Sequence, residues 1–219
     1  MRLTIVSALA CLFATTAVAL ADNGNRQKIR FNAADQAAAR AAVLRRSDLG
    51  SGADWTGGAR KPDLTQTDPC PNYNPKQSDL VLTGIAETQF TQGILAFDSE
   101  VQVLERPRMV RLDWRRSVLA PGVLPCLRST TTKGLPAGAT VVSVKRIPFP
   151  KIAPYTAAFR LITDVHAPSA TVRLFVDLVL FGSGRTESSL TTTAPYSARV
   201  PVKAAEIRLA KLLATRIRA

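Results

Sequence analysis

Asp177 stands inside an apolar run, Val176-Asp177-Leu178-Val179-Leu180. A carboxylate buried in such a run costs free energy unless a cation or a donor meets it. Arg160, on the preceding extended segment, and Arg173, on the same one, are the candidate partners. Such a pair either staples the fold or lines the polar end of a cleft. Trp55 is the one large apolar residue of a long loop, and it either packs on the core edge or stacks on a ligand. Arg108, Arg111 and Arg115 share one face if residues 107–119 are helical. That stripe suits phosphates, carboxylates or anionic lipid heads, and its bland alternative is a solvated face.

The same inventory argues against an enzyme. Nucleophilic catalysis by Ser or Cys usually needs a base. His166 is the one histidine, and Ala167-Pro168-Ser169 beside it marks a turn at the surface. Gly182-Ser183-Gly184 lacks the G-x-S-x-G spacing and joins two strands rather than a strand and a helix. There is no phosphate-binding loop and no dinucleotide fingerprint. Neither zinc nor calcium ligands cluster along the chain. No catalytic residue, cofactor or metal is therefore assigned.

Residues 1–21 read as an address. Met1-Arg2 is basic, residues 3–20 are largely apolar, and Ala19-Leu20-Ala21 matches signal-peptidase cleavage. An uncleaved anchor and a lipidated Cys11 are the alternatives; Ala8-Leu9-Ala10 is a poor lipobox, lacking the usual large aliphatic residue. Cleavage after Ala21 leaves 28 basic residues against 16 acidic ones, a net charge of +12. It also leaves Cys70 and Cys126, and an even pair in an exported chain is most simply one disulfide. The expected location is secreted, or the outer side of the cell envelope. The expected partner is a small molecule or an anionic envelope component, with membrane contact only peripheral. Nucleic acid is disfavoured, because the chain is exported and its basic residues lack a neighbouring aromatic platform.

The elements that must position these residues follow from periodicity. Residues 22–31 are a polar, flexible lead-in. Asn32 caps a helix over 33–46 with Asp35 as the N3 partner and Ala33, Ala37, Ala41 and Leu44 on one face. Residues 47–78, dense in Gly and Pro, form a long loop that Cys70 pins. Residues 80–91 and 94–104 make a hairpin around Gln92-Gly93. Pro107 suits a helix start, and Val110, Trp114 and Val118 stripe it; alternation of Val110, Leu112 and Trp114 leaves a strand open. Residues 121–130 form a second short helix with Cys126. Strands follow over 140–149, 155–166, 170–181 and 185–193, with Val172, Leu174, Val176, Leu178 and Leu180 on one face of the strongest. An amphipathic helix over 202–218 closes the chain, with Leu209, Leu213 and Ile217 inward and Arg208, Lys211 and Arg218 outward.

This order implies one α+β domain over 32–219. It holds a mainly antiparallel sheet of about six strands, with helices covering one sheet face and one disulfide as a staple. The open sheet face, or the groove between sheet and long loop, is where a ligand would sit.

The layout resembles the extracellular sensor domains of actinobacterial receptor serine/threonine kinases and related secreted sensor-type proteins. The matching residues begin with Asp48-Leu49-Gly50, Trp55-x-Gly57 and Pro69-Cys70-Pro71. They continue through 78–84, Phe90, Trp114-Arg115-Arg116 and Leu124-Pro125-Cys126-Leu127. The last are Val176 to Leu180 with Gly182-Ser183-Gly184-Arg185. The resemblance spans about residues 33–218. It implies a sheet with flanking helices and a ligand-binding cleft, and no enzyme. The chain departs from those receptors in having no kinase domain and one cysteine pair where they commonly have two. It implies a secreted, non-enzymatic, ligand-binding or sensor-type protein. The alternative is a cationic envelope protein that binds anionic polymers or lipid heads without a pocket.

Overall fold

A computed structural model describes residues 25–51, 54–64, 70–167 and 170–218. The expected signal segment and Cys11 lie outside the described residues. The strands are β1 (Lys28–Ile29), β2 (Thr56–Arg60), β3 (Val81–Gln92), β4 (Leu95–Leu104), β5 (Ala139–Arg146), β6 (Tyr155–Ala167), β7 (Ala170–Ser183) and β8 (Thr186–Pro195). The α-helices are α1 (Ala33–Ala42), α2 (Pro107–Asp113), α3 (Val123–Gly134) and α4 (Arg199–Arg216).

The strands form one sheet in the order β1-β3-β4-β8-β7-β6-β5, with β2 also on the outer edge of β3. Every neighbour is antiparallel except β1 with β3. After β4 the chain crosses through α2 and α3 to the far edge. It then returns as the meander β5 to β8, which brings β8 against β4. Tight hairpins make this possible: Gly93 and Gly184 take φ of 59° and 57°, a left-handed turn conformation that side chains disfavour.

Eight strands stand where about six were expected. The additional ones are β1, inside the expected lead-in, and β2, inside the expected long loop. Neither shows apolar alternation; both form by hydrogen-bonding to the edge of β3, and pairing of that kind leaves no trace in local periodicity.

The helices cover both sheet faces, which corrects the one-face expectation. On one face α1 and α4 pack over Ala86, Phe90, Phe97, Val101, Val179, Phe181 and Leu190. On the other, Trp114, Val118, Cys126 and Leu127 pack on Phe159 and Leu178. The sheet is thus buried on two sides, so its strands alternate less cleanly than a half-exposed sheet would. Val172 keeps its place on the expected face but is exposed, whereas Leu174, Val176 and Leu178 are buried.

Asn32 caps α1 as its sequence suggests: its Oδ1 accepts from Asp35 N at 2.9 Å. The buried face of α1 is Asp35, Ala39 and Ala42, not Ala33, Ala37 and Ala41. Alanine surrounds this helix on all sides, so its pattern carries little contrast. An ion pair sets the rotation instead. Arg185, in the β7–β8 turn, holds Asp35 at 2.7 Å and its carboxyl down to about 2. Gly84 of β3 admits this helix end closely, since a Cβ there would sit 2.3 Å from the Asp35 carbonyl oxygen.

Residues 107–118 are helical, which decides against a strand. Pro107 sits in the first turn, and α2 runs on into a π-helical turn, Trp114–Val118. Val110, Trp114 and Val118 are all buried. The Cys70–Cys126 disulfide ties the long loop to α3 across a Cα separation of 5.3 Å. Tyr73 seals the same corner by donating to the Ser117 carbonyl at 2.7 Å. In α4, Leu209, Leu213 and Ile217 face inward and Arg208, Lys211 and Arg218 outward, as the pattern predicts.

Candidate functional site

The outer edge of β3 carries two short partners and a gap between them. β1 pairs at Val81 and Leu82, and β2 pairs from Glu87 to Thr91. Residues 84–86 have no strand on that side. A groove of about 600 Å³ opens there. One wall is the C-terminal half of α1 and the turn after it, with Arg40, Val43, Leu44 and Arg45. The other is the end of β2 and the chain beyond, Ala59 to Pro62 and Leu64, and the floor is Ile85 to Thr88 and Phe90. Phe31 closes one end. The volume is that of a small-molecule site, for which roughly 300–1,000 Å³ is typical.

The lining is apolar with a charged rim. Arg40, Arg45, Arg60 and Lys61 are its four cations, and Glu87 is its one acid. Arg40 and Lys61 are exposed and, among the described residues, pair with no acceptor. Arg45 spends one N–H on the Ala41 carbonyl at 2.7 Å. Arg60 lies 3.8 Å from Glu87 and 3.9 Å from Asp98, and its buried Nη1 has no hydrogen-bond acceptor.

Behind Arg60 the α2 side of the sheet is unusually acidic. Register sets Glu87 opposite Glu100 and Gln102 opposite Glu187. Like charges directly across a ladder repel. Burial pushes the Asp98 and Glu100 carboxyls up to about 7. Burial also raises Glu87, Asp113 and Glu187, and Glu187 is raised further by Asp113 beside it. Asp113 accepts from Gln77 Nε2 at 2.8 Å and Ser117 Oγ at 2.7 Å, which binds α2 to the segment before β3. Burial thus favours the neutral, protonated form of these carboxyls, while the groove cations stay outside. Among the described residues no group of three or more His, Cys, Asp or Glu side chains has the geometry to hold a metal ion.

The residues singled out from sequence are scattered. Arg160 and Asp177 meet, Nε to Oδ1 at 2.6 Å and Nη2 to Oδ2 at 2.5 Å. Asp177 is fully covered, and Lys203 and Glu206 of α4 complete a charge cluster beneath that helix. Arg160 also lies over the Phe175 ring at 5.1 Å. The pair joins helix to sheet. Arg173 is not its partner: the β6–β7 register sets Arg173 opposite Asp164, and the two bond at 2.7 Å on the surface. Trp55 packs on Phe97 at 5.6 Å, at the edge of the core, and precedes the strand whose end lines the groove. Arg108, Arg111 and Arg115 are exposed and have no partner among the described residues. His166 is exposed at the β6–β7 hairpin, 2.9 Å from Thr171 Oγ1.

Sequence reasoning missed Arg40, Arg45, Arg60 and Lys61 as a group. The expectation of a groove between sheet and long loop was the available signal, because residues 59–64 belong to that loop. No known family model matches the chain, and no curated protein matches it either. Among the described residues no helix is long and apolar enough to cross a membrane.

Proposed function

We propose that this is an exported, non-enzymatic binding protein of sensor type that holds a small molecule in the groove at the β3 edge. The observation that carries the reading is the 600 Å³ groove, apolar inside and basic at the rim. The Cys70–Cys126 disulfide supports an oxidising compartment outside the cytoplasm. The one histidine is not among the groove residues, and Glu87, the acid that lines it, is buried within the sheet, which favours binding over turnover. The resemblance to kinase sensor domains agrees with this reading and belongs to the same proposal.

Native mass spectrometry of the exported protein tests it. A bound small molecule, released on denaturation, is expected. Ala59→Trp is expected to abolish it, because Ala59 is exposed and lines the groove, so a large ring there fills the site without disturbing the core. A ligand that persists in that variant, or its absence from the wild-type protein, overturns the reading.

A second reading rests on Arg108, Arg111 and Arg115. Three arginines on one helix face, without partners among the described residues, favour an anionic envelope polymer or lipid surface. Salt-sensitive retention on phosphatidylglycerol vesicles, lost on Arg→Ala at all three positions, is the expected result. Unchanged retention in the triple variant refutes it.

A further inference from the structure

We propose that the groove takes a free, single-chain amphiphile with an anionic head, its tail along Phe31, Leu64, Ile85 and Phe90 and its head against Arg40, Arg45 and Lys61. The inference rests on the small-molecule reading above and names the ligand class of that same site. Phe31 and Leu64 are 43% and 41% exposed and stand on the walls of one groove. Large apolar side chains left open around a common concavity gain free energy when an apolar chain covers them.

The head follows from charge. Asp35, Asp48, Asp79, Asp164 and Asp177 are each engaged by an arginine elsewhere in the fold. Glu87 is the one acid lining the groove, and it faces Arg60. Among the described residues Arg40 and Lys61 meet no acceptor at the rim, and Arg45 keeps donors beyond the one given to Ala41. A carboxylate or phosphate monoester supplies acceptors for such donors; a cationic or neutral head does not. Burial of the tail and solvation of the head are both met in an open groove, and a deep enclosed cavity would strand the head away from water.

Monomeric dodecanoate, dodecyl phosphate, dodecanol and dodecyltrimethylammonium, each below its micelle concentration, test the proposal by calorimetry on the wild-type protein. Saturable one-to-one binding of the two anionic probes is expected, with dodecanol weaker by about tenfold for the lost charged hydrogen bonds. The double variant Arg40→Ala with Lys61→Ala is expected to remove most of that difference, with Arg45 holding the remainder. Both residues are exposed, so the variant keeps the fold. Equal binding of dodecanol, or dodecanoate binding unchanged in the double variant, overturns the anionic class and leaves the small-molecule groove standing. Binding only to phosphatidylglycerol vesicles, with none to monomers, overturns the free amphiphile in favour of a membrane surface. No binding of any probe overturns it as well, and native mass spectrometry of wild type against Ala59→Trp then decides the parent reading separately.

Discussion

Folding stability is predicted to fall as pH rises from about 5 to about 8, opposite to the acid lability of most proteins. Asp98 and Glu100 carry carboxyls pushed up to about 7 by burial. Their ordinary values in an unfolded chain are 3.8 and 4.5. A group whose pKa is raised by folding binds its proton more tightly in the native state. Its contribution is complete below the unfolded pKa and is lost as pH rises through the folded one. Integrated between about pH 5 and about pH 8, each group costs ~2.5 kcal/mol, so the pair costs ~5 kcal/mol. Glu87, Asp113 and Glu187 shift in the same direction and add to the slope. Urea unfolding at constant ionic strength, followed by tryptophan fluorescence, measures it. Asp98→Asn with Glu100→Gln should flatten the slope substantially and leave the variant more stable than wild type at about pH 8. A wild-type stability that is flat or rises over this range, or a slope unchanged in the double variant, refutes the reasoning.

Three further results follow from the structure. Reducing the Cys70–Cys126 bridge opens a loop of sequence separation 56; unfolding with and without reductant should differ by about 4 kcal/mol in the chain-entropy model. Arg160→Ala leaves the fully covered Asp177 with Lys203 at 3.8 Å and should cost about 3–5 kcal/mol. Arg173→Ala, which breaks a half-exposed surface pair with Asp164, should leave stability close to wild type by the same urea assay.

Much of the fold was legible because its signals are local. The hairpin around Gly93, the long β6 and β7 strands and the apolar line of α4 each follow from periodicity within a dozen or so residues. The disulfide was legible because residues 1–21 read as an export signal and two cysteines follow them. Short β1 and β2 were not, because they exist through pairing with β3 rather than through their own pattern. The rotation of α1 was hidden by its alanines and set by Arg185, 150 residues away.

By itself, the sequence determined the helices and the six longer strands, that Asp177 needs a cation, and that the molecule is strongly basic. Only the tertiary structure decided which cation meets Asp177. Arg160 and Arg173 are both near enough in sequence, and cross-strand register, a property of two chain segments together, selects Arg160. The groove is of the same kind. Phe31, Arg40, Arg60 and Leu64 lie around the edge of β3, and they share a cavity because two short strands leave the outer side of residues 84–86 without a strand partner. Local physical chemistry reaches a few residues along the chain, whereas a binding site is a coincidence in space that packing alone creates.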